Sequence, residues 1–354
     1  MAIKGITASD SVTKQVWDEQ AFREARKEMY VSKFMGNTSA SLIFEKTMLE
    51  KEQGDQITFT IFPRAEAPVI LGSTGEAVEG KEGTYEHFND SINLEEYNTA
   101  FRVKTNKTLD AQRPFFSIQD ETAQAIEQWS SEIMDNLWFE AIQSSPSKVL
   151  YGGNNAATTG ADATTISGLD STCKLTPTLL RRLRVLAKTG FASGNNERDT
   201  YPFKPVKIGG IKYFVLIVHP YAVYDMKENP VYQQTVREAR ERSKNNPIFQ
   251  DAVAVIDNVI IHEHENIQIK ETSSGSGEYY CTGVFLGAGS SIWAWGRRWS
   301  TQTEYFDYGR EEGVNRSMIA KTKKTKFKYT SSGSKVDYGS CGVYLYVTDV
   351  LNAA

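Results

Sequence analysis

Hydrophobic and polar positions divide the chain into stretches of different period. Over residues 10–35, Val16, Trp17, Phe22, Met29 and Tyr30 are set among charged residues at helical spacing, and Gly36-Asn37 closes the stretch. The apolar stripe is sparse and an isolated helix of this length is marginal in water, so the pattern predicts a helix docked on another element. At Gly54-Asp55 the period changes to two. In Gln56-Ile57-Thr58-Phe59-Thr60-Ile61-Phe62 every second residue is apolar, which predicts a strand with one buried face. Alternation is lost over 63–83, where Gly, Glu and Pro collect. It returns more weakly through Ser91-Ile92-Asn93-Leu94, Tyr97, Ala100, Phe101 and Val103. Together these runs predict a long hairpin with a polar, glycine-rich tip that carries Glu76, Glu79, Glu82 and Glu86. A two-stranded ribbon is marginal alone, so it must lie either on its own domain or on a neighbour.

The strongest helical pattern spans 114–143, where Ile126, Trp129, Ile133, Leu137 and Ala141 recur at three and four residues and form the expected buried stripe. At 1.5 Å per residue this helix would be about 40 Å long, a spine rather than an ordinary globular helix. Residues 152–168 form a Gly/Asn/Ala/Thr crossing whose one charge is Asp162. After it, Thr176-Pro177 opens a helix with Leu179, Leu183 and Leu186 on one side and Arg181, Arg182, Arg184 and Lys188 on the other, ended by Gly190. The run 211–218, Ile-Lys-Tyr-Phe-Val-Leu-Ile-Val, predicts a strand covered on both faces, stopped by His219-Pro220. A charged helix is expected over 231–244 and apolar strand over 252–261. A hairpin follows with its polar turn at 271–278, and the last strands are expected over 321–329 and 342–347. Strand, helix, strand in this order predicts an α/β or α+β domain.

Composition narrows the function classes. At about 150 residues per domain, 354 residues suit about two domains, with enough core that no disulfide scaffold is needed. Cys173, Cys281 and Cys341 are far apart and odd in number, which fits a reducing compartment. The balance of 40 basic against 44 acidic residues argues against a surface that grips nucleic acid everywhere, so any DNA contact must be local. The N-terminus shows no signal-peptide pattern, and no apolar run approaches the roughly 20 residues that span a bilayer.

Candidate chemistry is thin. His262 and His264 lie two apart on a predicted strand, so both imidazoles could reach one ion, although a third ligand would have to come from elsewhere; surface polarity at a strand end is the plainer reading. Gly287 and Gly289 lack the third glycine of a dinucleotide fingerprint, no phosphate-loop motif exists, and no nucleophile elbow appears. Trp293-Ala-Trp295-Gly-Arg297-Arg298-Trp299 could stack bases or sugars, but alternating tryptophans more often pack a sheet face while neighbouring arginines pair with carboxylates. Lys321, Lys323, Lys324, Lys326 and Lys328 form the densest basic cluster. With Lys324, Lys326 and Lys328 on one face of a strand, it either meets phosphates in a lumen or guards an edge strand against pairing.

The order of these elements resembles the major capsid proteins of tailed bacteriophages, and within them the N4-like family with the Hong Kong 97-type capsid fold. The residues that carry the resemblance run from Trp17-Asp18-Glu19 and Phe34-Met35 through Gly54-Asp55-Gln56-Ile57-Thr58, with Gly75, Gly80 and Glu82 at the hairpin tip. They continue with the helix from Trp129 to Leu137, His219-Pro220-Tyr221, and Asn246-Pro247-Ile248-Phe249. Beyond these come Asp257-Asn258-Val259-Ile260-Ile261-His262-Glu263, Gly283-Val284-Phe285-Leu286-Gly287 and Tyr308-Gly309.

The resemblance implies an N-terminal arm and helix over 1–53, an extended hairpin loop over 54–106 that lies on an adjacent subunit, and a peripheral domain from 107–174 with 291–330. It implies an axial domain over 175–290 and leaves the strand at 331–354 without a domain assignment. It further implies self-assembly into hexamers and pentamers of an icosahedral head enclosing double-stranded DNA. Portal, scaffolding and decoration proteins would be partners; there would be no membrane partner, no cofactor and no turnover. Synthesis would be in the bacterial cytoplasm and residence in the virion. No coiled-coil scaffolding extension precedes the core, and nothing identifies crosslinking chemistry. The rival readings are a metal-dependent enzyme centred on His262 and His264, or a non-viral shell of the same fold that packages a cargo enzyme.

Overall fold

The apolar run at Ile211–Val218 becomes a central strand of the larger sheet, with every residue from Tyr213 to Val218 buried. The computed structural model describes residues 29–38, 40–47, 54, 56–61, 79, 87–105, 118–153, 165–190, 202–208, 210–233, 252–273, 277–328 and 335–348. The larger, eight-stranded sheet has the order Val149–Tyr151, Ser340–Val347, Tyr279–Leu286, Ile211–Val218, Val259–Glu263 and Ala252–Ile256; Ile269–Glu271 and Val206–Ile208 pair beside this path. Parallel pairing of Ile211–Val218 with Val259–Glu263 and antiparallel pairing with Tyr279–Leu286 cover both its edges. A second sheet has five strands, in the order Met35–Gly36, Ile43–Lys46, Ser291–Phe306, Glu311–Lys324 and Glu95–Lys104.

Local chemistry accounts for the helix starts. The Thr176 hydroxyl accepts a hydrogen bond from Leu179 N–H at 3.3 Å, with Pro177 as the first helical residue of Pro177–Thr189. His219 does the same for Pro220–Glu228, its Nδ1 accepting from Tyr221 N–H at 3.2 Å. The His219-Pro220 pair therefore ends a strand and also begins a helix, which the sequence pattern did not anticipate. The apolar stretch expected as strand over 252–261 is split into two antiparallel strands by Asp257 and Asn258, at φ 48° and 63°. Two consecutive left-handed residues make the tight hairpin turn that matches strand twist.

Two other expectations are corrected. Of the helix expected over 10–35, only residues from 29 onward fall within the described set, and there the chain makes a 3-10 turn, Val31–Phe34, followed by the strand Met35–Gly36. The spine helix exists, Ile118–Gln143, but its buried face is rotated from the expected one: Ile126, Ser130, Met134, Asp135, Trp138, Phe139 and Ile142 are buried, while Trp129, Ile133, Leu137 and Ala141 are only half-buried. Asp135 and Ser130 sit on the buried side because each is hydrogen-bonded there, Asp135 to distant main chain and Ser130 to Glu127 C=O at 2.7 Å. Of the charged helix expected over 231–244, residues 231–233 are helical and the remainder lies outside the described residues.

The described residues fall into two compact units. One comprises 98–132 with 301–316, and the other 29–97, 133–300 and 317–348. In the first, Thr105 Oγ1 donates to Gly309 C=O at 2.8 Å and the Arg102 guanidinium lies 4.4 Å from the Phe306 ring centroid. The second holds the principal core, where Trp138, Phe139, Phe214, Phe285 and Trp293 are fully or almost fully buried.

Candidate functional site

The base of the long hairpin forms as the alternation predicts. Gln56–Ile61 pairs antiparallel with Phe88–Asn93 in unbroken register from Gln56↔Asn93 to Ile61↔Phe88, and Thr60 Oγ1 donates to Asn89 Oδ1 at 2.7 Å. Its apolar face is not left for another surface, however. Ile57, Phe59 and Ile92 are buried in the chain's own cluster with Ile292, Ala294 and Phe327, and Phe59 meets Phe327 edge-on at 5.9 Å. Of the two expected positions for the ribbon, its own domain is the one found at the base, where Ser291–Phe306 and Lys326–Phe327 supply the cover. At the tip, Glu79 is exposed; Glu76, Glu82 and Glu86 lie outside the described residues.

Lysines and buried carboxylates fasten this base. Lys323 Nζ donates to Asp90 Oδ1 at 3.0 Å and to Ser91 C=O at 2.9 Å, and Lys335 Nζ reaches Asp90 Oδ1 at 2.7 Å. Asp337 is fully buried, and the buried Lys324 approaches its Oδ2 at 3.4 Å, with Lys326 at 3.7 Å from Oδ1. Asp337 also accepts from Ser147 N–H at 2.7 Å and returns its own N–H to Ser147 Oγ at 2.6 Å. Burial, the largest influence, holds the Lys324 ammonium below the ordinary lysine pKa despite Asp337. Lys321 pairs with Glu95, and this hydrogen bond is the first cause of the lowered Glu95 pKa. Lys328 is half-buried.

The basic cluster is thus dispersed among partners. Lys324, Lys326 and Lys328 do not present one strand face, since the ladder breaks at Thr325 and Lys324 turns inward. Lys321, Lys323 and Lys324 are not on an edge strand, because Glu311–Lys324 lies between two others in the five-stranded sheet, whereas Lys326 belongs to the two-stranded pair of Lys326–Phe327 with Val336–Asp337. Sequence inspection missed Asp90, Lys335 and Asp337, for which no local pattern exists; their partners are up to 245 residues away.

His262 lies on the strand Val259–Glu263 and His264 just past its end, and both rings meet Tyr30 in an aromatic cluster. His262 is fully buried, with its ring 5.3 Å from Phe34 and 6.0 Å from Tyr30, both edge-on. His264 stacks on Phe139 at 4.4 Å and lies 4.4 Å from Tyr30, while its Nδ1 accepts from Asn266 N–H at 3.1 Å. Among the described residues no group of three metal-ligating side chains comes together. Packing among these aromatic rings accounts for where the pair sits. The tryptophan motif resolves in the same way: Trp293 and Trp295 are buried with rings 5.5 Å apart, Arg298 pairs with Glu45 at 2.9 Å, and Arg297 with Glu96 at 3.5 Å.

Buried lysine and thiol groups complete the set. Lys148 is buried with its Nζ 4.8 Å from the Phe203 ring centroid, and burial pulls its pKa down to about 8. Burial pushes the thiols of Cys281 and Cys341 up to about 12, so neither is a nucleophile at neutral pH.

What these features describe is a framework of internally fastened sheets around a fixed hairpin base. Its architecture is a Hong Kong 97-type α+β capsid fold, shared nearly end to end with shell-forming chains. It resembles the capsid of Ralstonia phage GP4, with a TM-score of 0.78, 20% identity and 99% of each chain covered. It likewise resembles the capsid asymmetric unit of cyanophage Pam1, with a TM-score of 0.76, 20% identity, and 99% of this chain and 100% of that one covered. In sequence it is 24% identical over 376 residues to the major capsid protein of Pseudomonas phage KPP25, covering 94% of each. Residues 5–348 match the phage capsid protein family, and the chain belongs to that family. Its role is that of a major capsid protein of a phage head, a self-associating component of the virion.

Proposed function

We propose that this capsid protein closes head to tail into hexamers and pentamers, and that these tile an icosahedral head enclosing double-stranded DNA. The observation that carries the reading is the end-to-end family match over 5–348. Heterologous contacts whose rotation closes generate rings, and many modest contacts acting together let a large shell assemble accurately. In this reading residues 54–106 form the loop that overlies a neighbour, 107–174 with 291–330 the peripheral domain, and 175–290 the axial domain. The order of the motifs supports the N4-like branch.

The protein performs no turnover and takes no cofactor. It is made in the host bacterial cytoplasm and works with portal, scaffolding and decoration proteins, while DNA is held by weak, local contacts, consistent with the 40 to 44 charge balance. Electron microscopy of the purified, assembled protein tests this. Icosahedral particles with five- and sixfold capsomers are expected, and uniform small oligomers under all assembly conditions would overturn it.

A further inference from the structure

Lys207 and Lys212 are direct partners in the antiparallel hairpin formed by Val206–Ile208 and Ile211–Val218, so their side chains leave the same face side by side. Both are exposed, and neither has a carboxylate within ion-pair distance among the described residues. Like charges directly opposite each other on a ladder destabilise it. Nor can the pair relax by slipping register: Val206 and Tyr213, paired on the other face, are buried in the core, and Gly210 at φ +83° makes the turn. A rigid element that holds Lys207 and Lys212 side by side is arranged for an anionic partner.

We propose that this hairpin receives the acidic segment 76–86 of a second copy of the chain; the inference rests on the reading above that the extended loop lies on a neighbour. That segment, Glu-Ala-Val-Glu-Gly-Lys-Glu-Gly-Thr-Tyr-Glu, carries four glutamates against one lysine and is supplied once per subunit. Glu79 is exposed. Two cations on a short turn match a short acidic peptide better than a duplex, which offers a charge about every 1.7 Å and is met by longer rows of contacts. Charge pairing at the rim of such a contact sets register and orientation.

The test mixes two chains, one carrying Glu79→Cys and the other Lys212→Cys, and assembles them under mild oxidation; the native cysteines are buried. A disulfide-linked dimer in mixed shells, absent from shells of either variant alone, is expected. Mixed shells without it overturn the proposal. Independently of shells, a synthetic peptide of residues 76–86 is titrated into soluble subunit. Binding that weakens with salt and falls at least tenfold in Lys207→Glu/Lys212→Glu is expected, and no binding, or binding indifferent to the substitutions, overturns it. Normal shells of that double variant that instead release DNA at lower salt would identify nucleic acid as the partner and also sink it. If the unaltered chain forms no shells, the capsid reading fails, while the peptide titration still decides this site.

Discussion

The Asp135 carboxylate accepts hydrogen bonds from the main-chain N–H groups of Tyr30, at 2.9 Å, and Val31, at 3.0 Å, across 105 residues of sequence. Tyr30 and Val31 open the 3-10 turn at Val31–Phe34, where main-chain donors have no internal partner. A buried anion on the spine helix thus fixes the point at which the chain enters the sheet. The aromatic cluster of Tyr30, Phe34, Phe139, His262 and His264 is assembled around that point.

Removing this carboxylate leaves two buried N–H groups unpaired, each costing about 1–3 kcal/mol. Asp135→Ala is therefore expected to lower the stability of the unassembled subunit by about 2–4 kcal/mol in urea or guanidinium unfolding. Asp135→Asn keeps one acceptor oxygen and should fall between the two. An unchanged midpoint for Asp135→Ala would show that the contact does not hold the segment.

Asp337 illustrates how differently the two members of a buried pair behave on truncation. Asp337→Ala strands the Lys324 ammonium inside, with Lys326 close by, and is expected to cost about 3–5 kcal/mol. Lys324→Met is expected to cost less, because Asp337 keeps Ser147 N–H and Lys326. A double-mutant cycle on subunit unfolding measures the coupling, and an additive cycle would mean that the two groups do not interact.

Lys148 gives a pH dependence with a definite sign. Its folded pKa, about 8, lies below the 10.5 of the unfolded chain, so between these values the unfolded state binds more protons and stability rises with pH. Below about pH 8 the buried ammonium opposes folding, and the opposition is relieved through that window. The thiols act oppositely: Cys281 and Cys341, raised to about 12 from 9.0, make stability fall above about pH 9. Lys148→Met isolates the lysine. The difference between wild type and this variant should move in favour of wild type by on the order of 2–3 kcal/mol from pH 7.5 to 10.5, and a flat difference would place Lys148 in water.

The parts of this fold that could be read from sequence are those set by period and by local chemistry. The strand at Ile211–Val218 was legible as an unbroken apolar run, and the hairpin base as alternation from Gln56 to Ile61, because each buries a whole face. The spine helix was legible as an element, but its orientation was not. Asp135 on the buried side is paid for by main chain 105 residues away, and Trp138 Nε1 donates to Ser291 Oγ across 153 residues. Charges misled for the same reason. Lys324 read as one of a lumen or edge-strand cluster, and Asp337 carried no local signal, although the fold encloses them together. His264 read as a possible ligand because nothing in its neighbourhood of sequence announces Tyr30 and Phe139 on its ring.

The hairpin separates folding from assembly. Ile57, Phe59 and Ile92 are already buried on Ile292, Ala294 and Phe327, and Asp90 is held by Lys323 and Lys335, so the base owes its stability to its own chain. Deleting residues 68–82 takes away Glu76, Glu79 and Glu82 and none of these contacts. The shortened subunit is therefore expected to unfold at nearly the same denaturant concentration as the full chain yet to form no shells, read by sedimentation and electron microscopy. Substituting Phe59→Ala, by contrast, empties the cluster and should cost about 3–5 kcal/mol in the unassembled subunit, with any assembly defect following from that loss. Normal particles from the deletion would show that residues 68–82 are not an assembly contact, whereas a deletion that unfolds the subunit would place them in the folding core.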